Sequence, residues 1–586
     1  PNPANVDAKD YRYSNRPMIN KGKILLSGTE SYGMKYAATE VAGAVDFVND
    51  SNANITLRKN PDSTKGDNAD RADNSTAMAL MKDNSVTTKV TLTRGKAINK
   101  GDINLEDNIS NALGMFVNIN SNMTNEGTIK VSAIAQKESD KYKFNVAMRA
   151  DQADLTYEGA SAGNTEVINK NIVKLTGQGA IGLVASGSSS TKHAIATNNV
   201  GATIEINKEG TSESKDNFAM LAANEAEVIN KGTISIGNSK GSVGIAALKQ
   251  SSTHSIAKNE GSITVDGAEA TGVYNTGHFL MDNTKAEISV KGNQSIGLYA
   301  KETNTTHTKT ELKQGTVKSE DGAVALYSDQ ADITLDNTSG NLKLVAGKGG
   351  LLFYNYKSST PNTYSGQFTI VGPVKADIED GGYGFYLKNP TINSVSGSVQ
   401  GVPAFLNAMF NTTTNKLTVN MKAGGTFMVL HKPTGGSIKL SSVNNLSSIN
   451  SALGTKVQLT APSTGSYKIY SVYRGKLAIN QDVNLDNDDS LTTPDAFYRV
   501  DFRSSHIVLD ATKTITGTKQ GQVALFQGNY NEGTAGDVGK VGDVSIVNNG
   551  NIKLLGNSIT TGPVANRKTT TAMAGDFITL TNNKNI

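Results

Sequence analysis

The fold class this sequence predicts is an all-β, right-handed parallel β-helix, a solenoid with loop insertions and one short helical excursion. Three observations predict it: one phrase recurs along the chain, alternating apolar residues follow each copy, and no helix separates the copies. The fullest copy is Ile229-Asn230-Lys231-Gly232-Thr233-Ile234-Ser235-Ile236-Gly237. It returns as Ile19-Asn20-Lys21-Gly22-Lys23-Ile24 and Ile98-Asn99-Lys100-Gly101-Asp102-Ile103, and more loosely from Asn125, Asn259 and Asn549. A phrase repeated every few tens of residues is the mark of stacked structural units.

Each unit reads as two turns and two short strands. In the first half, Asn and Gly tolerate positive φ and so mark a corner. The Ile-x-Ile that follows sends an apolar side chain to one face at every second residue. The second half reads Gly-x-x-Ser-x-Gly-apolar, as in Gly28-Thr29-Glu30-Ser31-Tyr32-Gly33-Met34 and Gly292-Asn293-Gln294-Ser295-Ile296-Gly297-Leu298. The turn asparagines are assigned as Asn169, Asn199, Asn230, Asn259 and Asn283, spaced by 30, 31, 29 and 24 residues on subtraction. Strands at this spacing without helices pair in parallel, coil on coil, with stacked apolar residues inside and asparagine side chains laddering along the turns. Right-handedness follows from the general crossover preference. Roughly 18 to 22 coils would make a rod on the order of 90–100 Å long.

Along the chain, residues 1–16 read as an irregular cap and 17–410 as clean repeats, with a polar loop insertion at 59–74. The phrase blurs over 411–510, where an excursion at about 436–472 is expected. Within it Val443, Leu446, Ile449 and Leu453 recur at helical spacing, which predicts a short helix near 442–453 capped by Ser441 or Ser442. Repeats resume over 511–586 and stop inside a copy of the phrase (Leu580-Thr581-Asn582-Asn583-Lys584-Asn585-Ile586), so the chain reads as a fragment of something longer.

Composition narrows the function. The 586 residues carry 57 Lys and Arg against 53 Asp and Glu, a net charge of +4 with the signs interspersed, so no basic stripe argues for nucleic acid. The chain has no Cys, which excludes disulfides and thiolate metal sites and suits a polypeptide that crosses a membrane unfolded. It has no run of 18 apolar residues that would span a membrane as a helix.

No residue pattern points to chemistry. The Gly-x-x-Ser-x-Gly spacing is wrong for a nucleophile elbow, and the serine recurs in turn after turn. His193, His254, His278, His307, His431 and His506 show no metal-ligand spacing and read as solvated loop residues. The acidic pairs at Asp486-Asn487-Asp488-Asp489 and Glu379-Asp380 read as solvated corners rather than the paired carboxylates of glycoside hydrolysis. Lys65-Gly66-Asp67 matches an integrin-type tripeptide, yet Lys100-Gly101-Asp102 arises from the repeat itself. Tyr354, Tyr356, Tyr364, Tyr383 and Tyr386 form either a binding platform or, the favoured reading, alternate aromatics of the core. No catalytic, cofactor or metal residue is assigned, and ligand-binding residues stay unknown.

The phrase Ile-Asn-Lys-Gly-x-Ile followed by Ser-x-Gly-apolar-x-Ala resembles the passenger repeats of large fusobacterial type V autotransporter adhesins, the RadD-like outer-membrane adhesin family. Tyr473-Arg474-Gly475-Lys476-Leu477, Asp482-Val483-Asn484-Leu485-Asp486 and Thr514-Ile515-Thr516-Gly517 resemble their non-repetitive parts. The resemblance implies a non-enzymatic passenger displayed on the bacterial surface and tethered through a C-terminal outer-membrane barrel absent from this chain. It implies partners on host cells (glycan or protein) or on other bacteria, no cofactor, no nucleic acid and a monomer. Two rivals stand beside it: a passive β-helical stalk, and a glycan-active β-helix enzyme.

Overall fold

The computed structural model describes residues 17–38, 41–42, 46–60, 71–82, 91–92, 96–119, 121–152, 164–187, 194–209, 214–250, 253–303, 307–356, 366–388, 409–412, 416–431, 438–439, 450, 456–460, 462, 467–473, 476–479, 482–484, 500–503, 506–518, 520, 523–527, 545–558, 570–574, 579–584 and 586. The chain is a right-handed parallel β-helix. It divides into two compact units, Pro1–Glu311 and Leu312–Ile586.

In the first unit each coil holds three strands, one more than the two-strand repeat expected. The coil built on the full phrase runs Glu227–Asn230, Thr233–Ile236 and Val243–Ala247. The extra strand ends on the asparagine, and an outward isoleucine beside an inward asparagine, as at Ile229 and Asn230, breaks the apolar alternation and hides it. Stacking then gives three parallel sheets. The asparagine sheet runs from Met18–Asn20 through Phe47–Asn49, Lys96–Asn99, Asn122–Asn125, Thr165–Asn169, Ala194–Asn198, Glu227–Asn230 and Ile256–Asn259 to His278–Met281. The isoleucine sheet begins at Lys23–Leu26 and includes Asp102–Leu105, Thr233–Ile236 and Glu287–Val290. The glycine sheet begins at Tyr32–Ala38 and includes Leu113–Val117, Ala180–Ser186, Thr271–Asn275 and Ile296–Lys301. Registers repeat the sequence pattern, Ile204 facing Ile234 and Ile234 facing Ile263, so like residues stack in columns. Ile103, Ile204, Ile234, Ile263 and Ile288 are fully buried.

The expected asparagine ladder is present, with two members corrected. Side-chain amides donate from Asn20 to Asn49, Asn99, Asn125, Asn169, Asn198, Asn230 and Asn259 in succession, each to the next Oδ1 at 2.7–2.9 Å. Asn198, and not Asn199, is the ladder member. Asn283 is a turn residue whose Oδ1 accepts from the Lys285 amide at 2.9 Å. Lys258 faces Leu280 in register, so the coil of Asn283 places the buried Met281 at the ladder position. A one-residue shift reverses the face on which a side chain lies, and sequence spacing alone does not resolve it.

The corner glycine has a different cause from the one expected. Neither Asn230 nor Gly232 has a left-handed backbone. A Cβ at Gly232 would lie 2.3 Å from the carbonyl oxygen of Ala202 in the preceding coil, so the position is closed to any side chain. Left-handed residues occupy the corner before the glycine sheet instead: Glu30 (φ 55°), Asn74 (55°), Asn111 (55°), Asp216 (54°), Glu269 (54°) and Gln294 (58°).

In the second unit the glycine sheet includes Val324–Asp329, Leu351–Tyr356, Tyr383–Lys388, Thr426–His431 and Lys468–Tyr473. Phenylalanine fills the core here: Phe353 stacks on Phe385 at 5.0 Å and meets Phe368 and Phe410 edge-on at 5.1 and 5.7 Å. A side-chain ladder step joins Asn548 to Asn582 at 2.8 Å. Within the expected excursion 436–472, Val457–Thr460 and Lys468–Tyr473 are strands of the coil. The expected helix near 442–453, apart from Asn450, lies outside the described residues, as does the cap 1–16. So does most of the insertion 59–74, whose described ends meet as an antiparallel bridge between Lys59 and Arg71.

Candidate binding surface

A β-helix offers its outward side chains as columns at coil pitch, about 4.8 Å apart. The chemistry of each face therefore follows from which residue the repeat puts at each outward position.

The outward face of the asparagine sheet is the least expected. The isoleucine of the Ile-Asn-Lys-Gly phrase points away from the core. Ile19, Val48, Ile98, Thr124, Ile168, Thr197 and Ile229 lie in one register column, joined pair by pair from coil to coil. All are partly exposed except Thr124, at 7%, while Ile19 reaches 45%. Two residues on, past each buried asparagine, a second column carries Lys21, Asp50, Lys100, Glu126, Lys170, Asn199, Lys231 and Glu260. Its signs alternate except at the neutral Asn199, and neighbours pair along it, Lys170 with Glu126 at 3.4 Å and Lys231 with Glu260 at 3.9 Å.

The glycine-sheet face is aromatic and aliphatic. In the first unit Tyr274 and Tyr299 meet edge-on at 5.5 Å. A second apolar cluster of Val146, Ile181 and Val184 forms there, packed against Leu113, Phe144, Phe218 and Leu221. The hairpin of Lys137–Glu138 and Lys141–Tyr142 folds beside it. Tyr142 donates to Asp216 at 3.0 Å, and the Lys137 ammonium sits 4.3 Å from the ring centroid. Burial first, then that hydrogen bond and the Asp216 charge, raise the Tyr142 hydroxyl above the usual phenol range. In the second unit Tyr327, Tyr354 and Tyr386 form a ladder at 4.5 and 5.2 Å. These tyrosines stand half-exposed on the outside while Phe353 and Phe385 take the core, which corrects the expectation that Tyr354 and Tyr386 are core residues. Tyr364 and the side chain of Tyr356 lie outside the described residues.

The residues singled out for chemistry take structural places. Ser295 is buried, donates to the Gly267 carbonyl at 2.5 Å and accepts from the Ala270 amide at 3.1 Å. Ser242 is buried likewise and accepts from the Asn217 amide at 3.1 Å. Gly101, between Lys100 and Asp102, is wedged 2.2 Å (as a virtual Cβ) from the Ala53 carbonyl, so that tripeptide is a coil corner. Lys65-Gly66-Asp67 and Asp486–Asp489 lie outside the described residues, and Glu379-Asp380 is an exposed turn.

Histidine placement corrects the loop reading: His254, His278, His431 and His506 belong to strands. His278 Nε2 lies 3.0 Å from Glu311 Oε2, to which Lys309 also pairs at 2.8 Å. A histidine at an outward strand position leaves no periodic signal, so sequence spacing did not find this group. Among the described residues no group of three or more His, Cys, Asp or Glu could hold a metal ion.

Residues 7–237 match the family model described as the BigA third pectate lyase-like domain. No curated protein and no solved structure matches the chain.

Proposed function

We propose that this chain is a segment of a surface-displayed bacterial adhesin, an autotransporter-type passenger of the RadD-like kind that binds host cells or other bacteria without catalysis. The observation that carries the proposal is the match of residues 7–237 to the BigA model, which supports a β-helical, adhesin-type passenger. The pectate lyase-like part of that description is a likeness of fold. The resemblance of the Ile-Asn-Lys-Gly repeats to fusobacterial passengers agrees with it, as does a cysteine-free chain suited to secretion unfolded. On this reading the coil sets a long face of fixed columns at the cell exterior, and the partners are a glycan or protein receptor on a host cell, or a partner bacterium. Nucleic acid has no place in it, and on this reading the passenger is tethered through an outer-membrane barrel.

The experiment is binding of labelled chain 1–586 to epithelial cells and to partner bacteria, with competing sugars and amino acids. Saturable, competable binding is expected. A folded chain that binds neither would favour the second reading, a passive stalk, which the regularity of the first-unit registers also supports.

A further inference from the structure

From the outward face of the asparagine sheet we infer a self-association surface, on which a second copy of this chain packs antiparallel. The column Lys21, Asp50, Lys100, Glu126, Lys170, Asn199, Lys231, Glu260 occupies eight successive coils of the first unit. A two-fold axis lying across the face keeps each column opposite itself and reverses its order. Lys21 then meets Glu260 of the second copy, Asp50 meets Lys231, Lys100 meets Asn199 and Glu126 meets Lys170. Every meeting in that column is between opposite charges or with a neutral amide. The same operation sets Val48 against Ile229, Ile98 against Thr197 and Thr124 against Ile168, so β-branched side chains meet at the centre. A parallel pair of copies would instead put the charged column opposite the column of Asn122, Glu166 and Glu227, and it would lose this matching.

The fold explains why the surface exists. The core takes Ala97, Val167 and Val228 from these strands, all fully buried, and makes no use of Ile98, Ile168 or Ile229. Yet seven of the eight coils keep a β-branched residue there, beside a column of alternating charge interrupted only at Asn199. The eighth carries Lys258, which the two-fold sets against Ile19. One meeting opposes the arrangement: on the far side Asp46 faces Glu227, whose carboxylate is already paired with Lys258 in its own chain.

Eight coils at about 4.8 Å and three columns about 14 Å wide bury roughly 900–1,000 Å² in total. That is below the ~1,200–2,000 Å² of stable complexes, so the pairing is weak, reversible and salt-sensitive. The inference concerns a different partner from the adhesin reading and stands or falls separately from it.

Sedimentation of the intact chain from about 1 to about 300 µM, at about 50 and 500 mM salt, reads the association directly. A concentration-dependent dimer that weakens at high salt is expected. K170E should weaken it about tenfold, since two symmetric pairs turn repulsive, and the swap E126K/K170E should restore it. Because the chain has no cysteine, V48C/I229C should oxidise to a covalent dimer while V48C alone should not. Those two positions lie five coils apart, about 24 Å, which excludes a bridge within one chain. A monomer throughout at low salt, a dimer indifferent to K170E, or equal cross-linking by V48C alone would each overturn the proposal.

Discussion

At the scale of the residue, Asn230 carries more than a turn. Its amide donates to Asn259 at 2.8 Å and to the Ser262 carbonyl at 3.2 Å, and its Oδ1 accepts from Asn198 at 2.9 Å, all in a fully buried site. Removing one member leaves both neighbours with unmet polar atoms, and an unmet buried group costs about 1–3 kcal/mol. Asn230→Ala should therefore destabilise its coils by about 2–4 kcal/mol, read as faster amide exchange in strands 194–198 and 256–259. Ile229→Thr beside it should change stability little, because that side chain faces out. Glycine gives a second contrast. A Cβ at Gly244 would lie 2.4 Å from the Gly272 carbonyl oxygen, whereas nothing lies within 4 Å of one at Gly22. Gly244→Ala should lower stability by roughly 1–3 kcal/mol in urea unfolding, and Gly22→Ala should not.

At the scale of the element, the glycine-sheet strands separate two kinds of aromatic residue by alternation alone. Phe353 and Tyr354 are adjacent, yet the first is fully buried among three other phenylalanines and the second is half-exposed between two tyrosines. Phe353→Ala should cost about 3–5 kcal/mol and Tyr354→Ala only about 1–2, measured by urea unfolding of the two variants. The hairpin at 137–142 has its own pH response. The Tyr142 phenol is held neutral, so its pKa is higher folded than unfolded. Its contribution is complete below the ordinary phenol pKa and is lost as pH rises through the folded value. Alkaline loosening of residues 137–142, followed by amide exchange or limited proteolysis, should diminish in Tyr142→Phe.

At the scale of the whole molecule, stability is a sum over coils and their neighbours. The outward ion pairs add little, because most are a third or more exposed and screened by water. Raising salt from about 50 mM to about 1 M should leave the unfolding free energy changed by less than about 1 kcal/mol per coil, even as it abolishes pairing between copies. A chain whose fold dissolved in salt would show that the charged columns, and not the ladders and core, hold it.

The sequence by itself determined the solenoid, its parallel pairing, the stacked isoleucines and the asparagine ladder. Each depends on residue type at a repeated position, and a column of like residues is the direct consequence of stacking like coils. Asn198 against Asn199, and Met281 in the place of Asn283, were decided only by tertiary register, since neighbouring asparagines are equivalent until one strand pairs with the next. The third strand of each coil was hidden because an outward isoleucine and an inward asparagine, as at Ile229 and Asn230, reverse the usual alternation. The corner glycines looked like a matter of backbone freedom, but the closeness of the coil beneath requires them. Outward columns were illegible for the same reason: residues some 26 to 50 positions apart become neighbours only when coils stack. The meeting of β-branched and alternating charged columns on one face therefore belongs to the structure alone.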